Sequence, residues 1–342
     1  MKYNINKVDN VSFITIDNEK GMNIVLSSFG ASIFDLELTD KRNNKESIVI
    51  TPSDLNDFYY NDGYHGKTVG RFSGRIDKGI CYINNTKYNL DINWNNVNSL
   101  HGGNDSISFK NFDYEISDNE NTLDVSFKVI EKENKLPGDV NYNIIYKINK
   151  DNNEFTIYFN ATSTKDTIVN LTNHVYFNLS GNGKNTILDH KLQLNCDTYT
   201  KLNNELITTS IDKVNKVMDF TKLHKISKYI NDESLQNHKA LGYDHCFIKQ
   251  DIQNSTIAIL KDEKSKRNLT IKTSYPSIVV YTCNYPSSFD FNRNRFKISK
   301  HHAICLECQF IPNGINMDNV DKAILKKDEV YNHYINYKFD IK

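Results

Sequence analysis

The chain lacks a charge imbalance, a long apolar run and more than a handful of prolines, tryptophans or cysteines. Lysine and arginine number 42, aspartate and glutamate number 42, and the formal net charge is zero. A surface that tracks nucleic acid or anionic lipid needs a basic surplus, so neither nucleic acid nor a membrane is an expected partner. No apolar stretch approaches the roughly 20 residues of a bilayer-spanning helix. The opening "MKYNINKVDNVSF" has no apolar centre and no small-residue cleavage site, unlike a secretory signal. Six cysteines scattered over 342 residues are too few for a disulfide scaffold. These features together lead us to expect a reduced, cytoplasmic protein. Only five prolines occur, and neither a Pro/Gly/Ser-rich linker nor an internal repeat divides the chain. One domain over residues 1–342 is therefore expected, and 38% apolar residues can supply its core.

What the chain has in quantity is a period of two. "LDVSFKVI" places Leu123, Val125, Phe127 and Val129 on one face, and "EFTIYFN" does the same with Phe155, Ile157 and Phe159. "LTIKTSYPSIVVYT" offers Leu269, Ile271 and Thr273 before the run Ile278 to Tyr281. Such alternation marks half-buried strands, which β-branched and aromatic residues favour. Turn clusters such as "INNTKYN", "SGNGKN" and "KDEKSKRN" separate them. Helical signals are sparse; "MDNVDKAIL" near residue 320 predicts two turns at most. The fold class is all-β: a large antiparallel β-sandwich with few short helices.

Several stretches carry chemistry. In "NLTNHVYFNLSG", His174 is flanked by amides and shares a strand face with Tyr176. Histidine exchanges a proton near neutrality, although a hydrogen-bonded core histidine would look the same. "NSLHGG" holds His101 ahead of two glycines that permit a tight turn or a close ligand; an ordinary exposed turn is the alternative. "GRFSGRI" presents Arg71 and Arg75 without the Lys-Ser/Thr of a phosphate loop, so no nucleotide is expected. In "GYDHCF", Asp244 and His245 point to opposite strand faces, which leaves Asp244 as an acceptor for ligand hydroxyls or as a turn aspartate. In "AICLECQFIPNGIN", Glu307 lies inside an apolar strand. Desolvation there raises a carboxyl pKa and suits general-base work, unless an ion pair or a strand edge accommodates it. Cys305 and Cys308 flank that glutamate on opposite faces, and neither a second CxxC nor a His pair completes a zinc site. No metal is expected.

Taken in order, "NSLHGG", "NLTNHVYFNLSG", "GYDHCF", "YTCNY" and "CLECQFIPNGIN" resemble the aldose 1-epimerase (galactose mutarotase) family over nearly the whole chain. The resemblance implies a large β-sandwich, a free aldohexose as the small-molecule partner, and no cofactor. It makes His174 the general acid and Glu307 the general base. Arg75, His101, Tyr176 and Asp244 would then bind sugar oxygens. Five positions depart from the family pattern: Gly74 and Val279 stand where asparagine and glutamine are usual, LETQ reads LECQ through Cys308, and PDAIN reads PNGIN through Asn313 and Gly314. These departures leave the preferred aldose open, as the sequence leaves open monomer or homodimer.

The implied reaction is anomer exchange through ring opening. Glu307 takes the C1 hydroxyl proton, and a protonated His174 delivers one to the ring oxygen. Alternatives on the same residues are an epimerase of phosphorylated hexoses, using Arg71 or the "NRNRFK" loop near residue 293, and a non-catalytic sugar-binding module. A glycoside hydrolase with Asp244 and Glu307 as its carboxylate pair fits less well, because the single Trp94 lies in a polar loop and offers little platform.

Overall fold

The computed structural model describes residues 1–61, 63–251, 253, 255–286, 290–291 and 296–342. Antiparallel strands dominate it. A five-stranded meander runs from Lys2–Val8 to Lys45–Ser47, each strand paired with the next. A nine-stranded sheet has Thr122–Glu131, Val140–Asn149 and Glu154–Ser163 in succession, followed by Tyr331–Ile341 and Arg267–Thr273. The period of two explains why these strands hold. Tyr142, Ile144, Tyr146 and Ile148 alternate into the core beside Phe155, Ile157 and Phe159, all 0–1% exposed. Each such side chain stabilises the fold by about 1.5–3 kcal/mol when buried.

A third sheet carries the site. Its strands are β1 (Tyr176–Phe177), β2 (Cys196–Leu202), β3 (Thr208–Lys213), β4 (Asp244–Lys249), β5 (Ser277–Tyr281) and β6 (Ile304–Gln309). They are ordered β1-β6-β5-β4-β2-β3. One face of this sheet packs on the nine-stranded sheet: the Phe177 ring lies 5.6 Å from Tyr337 and 6.5 Å from Phe339. Ile304, Leu306 and Cys308 of β6 join that core with Ile278 and Val280 of β5. Because strand side chains alternate, Cys305, Glu307 and Gln309 are left to the other face. The large antiparallel β-sandwich expected from the periodicity is the architecture observed.

Two local expectations are corrected. Residues 317–325 form no α-helix; a 3₁₀ turn at Gly314–Asn316 gives way to bends and a short strand, Ile324–Leu325. Asn319 and Ala323 have φ of +58° and +52° there, a left-handed geometry that no right-handed helix accommodates. Among the described residues the α-helices are α1 (Leu55–Tyr60) and α2 (Glu233–Gln236), and none is long and apolar enough to cross a membrane. Nor does His174 lie within a strand. Thr172–Asn173 pairs with Thr68–Val69, whereas Tyr176–Phe177 pairs with β6. The chain changes partners at His174, which breaks the ladder there.

Candidate active site

A cleft of about 1060 Å³, its open mouth included, lies over the face of β6, β5 and β4 that points away from the nine-stranded sheet. All six predicted site residues (Arg75, His101, His174, Tyr176, Asp244 and Glu307) line it. Strand register sets its floor. Tyr176 is opposite Cys305, Val279 opposite Glu307, and Tyr281 opposite both Cys305 and Asp244.

His174 is placed by its backbone. Its N–H donates to the Lys67 carbonyl at 2.9 Å, and its own carbonyl accepts from Gly66 at 2.8 Å. The Asn173 amide donates to the Gly66 carbonyl as well, at 2.9 Å. The Gly66–Lys67 segment thus clamps the histidine from the other wall. Gly66 has φ +69°, and a Cβ added to it would come within 1.9 Å of the Ile33 carbonyl oxygen; only glycine permits that approach. The ring so held turns Nε2 toward Glu307 Oε1 at 3.6 Å. Its Nδ1 faces Cys305 Sγ, also at 3.6 Å.

On the opposite wall, the short strand Arg75–Ile76 pairs with Ser99–Leu100 and delivers His101 beside His174. The two imidazoles meet edge to face with centroids 5.3 Å apart. Gly102, the first of the paired glycines, has φ +85°, and a Cβ there would lie 2.1 Å from the Gly70 carbonyl oxygen. The close approach anticipated by the motif is therefore to backbone. Arg75 Nη2 donates to Asp244 Oδ2 at 3.1 Å, and its guanidinium lies 4.7 Å from the centre of the Trp94 ring. Trp94 is thus part of the cleft wall and not a remote loop residue.

Electrostatics at the centre differ from the expected protonated His174 beside an ionised Glu307. Burial raises the Glu307 carboxyl to about 8; the Asp244 charge adds to the rise and Arg75 opposes it. Burial lowers His174 to about 4, against the pull of its own carbonyl and of Asp244. His101 is pushed well below the usual imidazole value by burial, with His174 and Arg75 adding to the drop. The reason is desolvation: both groups are withdrawn from water, which disfavours charge on either. The neutral pair and the ion pair nevertheless contain the same single proton. Its passage from Oε1 to Nε2 changes no net charge.

The ligating atoms of His101, His174 and Glu307 lie within 4.8 Å of one another, close enough to suggest a metal triad. The hydrogen bonding of His101 argues otherwise. Its Nδ1 accepts from the Gly74 N–H at 3.2 Å, so the neutral ring carries its proton on Nε2. That atom offers a donor, suited to a sugar oxygen, where a cation needs a lone pair.

Arg71 is no candidate for a ligand's phosphate. It is 1% exposed and bound to Glu131, Thr167 and the Pro137 and Gly138 carbonyls. Residues 292–295 of the "NRNRFK" loop lie outside the described residues. Asp244 is tied to Arg75, which leaves Glu307 as the cleft carboxylate facing an acid–base partner.

Residues 12–338 fit the model of the aldose 1-epimerase family. The chain belongs to that family. It is 30% identical to aldose 1-epimerase of Streptococcus thermophilus, covering 98% of this chain and 97% of that one. It is also 30% identical to galactose mutarotase of the pig, covering 94% and 92% respectively. Among solved structures, an aldose epimerase homologue from C. elegans superposes with a TM-score of 0.86 at 26% identity, covering 97% of this chain and 99% of that one. Galactose 1-epimerase of Lactobacillus acidophilus gives 0.85 at 25%, covering 99% and 98%.

Within this aldose 1-epimerase-family cleft, sequence reading missed Tyr64, His65, Tyr281 and Gln309. Tyr64 packs on His101 with centroids 4.8 Å apart, and His65 stacks on Tyr176 at 4.2 Å. Asn61 Oδ1 accepts from Gly63 N–H and meets His65 Nδ1 at 3.0 Å, which leaves His65 Nε2 as an acceptor. Gln309 has a buried Oε1 without a partner among the described residues. The signal for Gln309 was available: it stands two residues after Glu307, on the same strand face.

Proposed function

We propose that the protein is an aldose 1-epimerase that interconverts the α and β anomers of a free aldohexose, using Glu307 as base and His174 as acid. The observation that carries this reading is the 3.6 Å approach of His174 Nε2 to Glu307 Oε1 inside the cleft. Transfer of the shared proton to Nε2 arms both groups at once. Glu307 then takes the C1 hydroxyl proton while His174 protonates the ring oxygen, and the C1–O5 bond opens. Rotation about C1–C2 presents the other face of the aldehyde, and both proton transfers reverse on closure. Each positioned transfer contributes about 10² to 10⁴-fold.

Arg75, Asp244, His101 and Tyr176 supply the contacts that hold the sugar. The Nε2–H of His101 donates, and the Asp244 carboxylate accepts. Family membership supports the sugar as substrate. The commitment of Arg71 to buried partners speaks against a phosphorylated one. Polarimetry of freshly dissolved α-D-galactose and α-D-glucose provides the test. Faster relaxation to the same final rotation is expected; an unchanged relaxation with both sugars refutes the assignment, even if either binds.

A further inference from the structure

We propose that Cys305 is a positioning residue, its sulfur holding the Nδ1–H of His174 so that proton exchange is confined to Nε2. The inference rests on the mutarotation reading and adds a part to the same site.

Cys305 and Glu307 stand two residues apart on β6 and so share a face. Each addresses a different nitrogen of one ring: Sγ lies 3.6 Å from Nδ1 and Oε1 lies 3.6 Å from Nε2. Cys305 is fully buried, so water does not compete for that contact. A sulfur–nitrogen distance of 3.6 Å suits a hydrogen bond to so large an atom. The Tyr176 hydroxyl is a further polar neighbour of the sulfur, across the β1–β6 pairing.

The direction of the bond follows from the opposite nitrogen. A proton shared between Nε2 and Glu307 needs a lone pair on Nε2 whenever the carboxyl holds the proton. The neutral ring must then carry its hydrogen on Nδ1, and the thiol is the side chain there to accept it. In turnover, Nε2 gains the proton from Glu307, passes it to the ring oxygen and recovers it on closure, while Nδ1 keeps its hydrogen. Carboxylates usually orient catalytic histidines from this side and make the ring more basic. A thiol is a weak acceptor. Burial and the neighbouring Glu307 charge also push its own acidity far down, so it stays uncharged. It can fix the ring's tautomer without trapping the proton that the ring must surrender.

The test compares Cys305→Ala and Cys305→Ser by rate and by ¹⁵N NMR of the imidazole. In the wild type, Nδ1 is expected to be the protonated nitrogen; in the alanine variant the two tautomers should mix. The alanine variant should lose about tenfold in kcat, the weight of one ordinary hydrogen bond, with KM changed by less than about twofold. Serine, which accepts the same hydrogen, should restore kcat to within about threefold. A wild-type ring protonated on Nε2 alone, or an alanine variant with unchanged tautomer and rate, overturns the proposal. So does a serine variant as slow as alanine, since the loss would then be one of packing. If the wild type fails to exchange anomers at all, the mutarotation reading falls, while the NMR comparison still decides the tautomer.

Discussion

Glu307 Oε1 and His174 Nε2 lie 3.6 Å apart, and burial drives the two groups toward a state in which they share one proton. The carboxyl is pushed up to about 8 and the imidazole down to about 4. Between those limits the pair keeps its single proton, whichever atom holds it. Below about 4 a second proton arrives and no base remains; above about 8 the shared proton leaves and no acid remains. The rate of anomer exchange, corrected for the spontaneous reaction, should therefore be flat from about pH 4 to about pH 8 and fall on both sides. A narrow optimum between the ordinary carboxyl and imidazole values would show that the two groups titrate as solvated side chains.

The same electrostatics has a price in stability. A carboxyl whose folded pKa is raised stabilises the fold below its unfolded value of 4.5, and that contribution is lost as pH rises through about 8. Glu307→Gln keeps shape and hydrogen bonding but cannot ionise. It should melt with the wild type near pH 4 and several degrees above it at pH 8.5, a difference on the order of 2 kcal/mol. Its rate should fall by about 10² to 10⁴-fold, as should that of His174→Asn. Calorimetry at the two pH values, alongside polarimetry, checks both halves. Equal melting at pH 8.5 would mean that the wild-type carboxylate meets no burial penalty.

Arg75 and Asp244 are bonded at 3.1 Å and act on Glu307 with opposite sign. Asp244 raises its pKa and Arg75 lowers it. Asp244→Asn should accordingly move the alkaline limb of the rate profile to lower pH, and Arg75→Met should move it higher. Both should raise KM by about tenfold or more through lost contacts to the sugar. Limbs that shift in the same direction, or fail to move, would remove the pair from the electrostatics of the base.

Much of this was legible in the sequence, and the reasons are local. Alternation in "LDVSFKVI" and "EFTIYFN" reports strands because one face of each is buried, and Phe127 and Phe159 are indeed fully so. Glu307 announced itself as a carboxylate in an apolar run. The roles proposed for Arg75 and His101 rest on the family resemblance, since their partners are remote: Arg75 meets Asp244 across 169 residues. His174 misled as a strand residue because its ladder is broken by a change of partner that local pattern cannot display. Tyr64 and His65 were missed for a related reason. They enter the cleft only because the chain after α1 folds back against the Thr172–Asn173 strand. The protonation of the central pair depends on how much water reaches it, which only the packed structure decides.

Gly66 links that packing to the chemistry. Its carbonyl accepts from Ile33 at 2.9 Å and from the Asn173 amide, while its N–H holds the His174 carbonyl. In Gly66→Ala, the new methyl would collide with the Ile33 carbonyl at 1.9 Å, from a backbone angle already unfavourable to a side chain. Relief requires the segment to withdraw, stretching the bonds that fix His174. The variant should lose about 2 kcal/mol or more of stability, and kcat should fall further than the surviving folded fraction explains. Denaturant unfolding and single-temperature kinetics on the folded population separate the two effects. A variant that is less stable but fully active per folded molecule would show that the Gly66 clamp supports the fold without setting the position of His174.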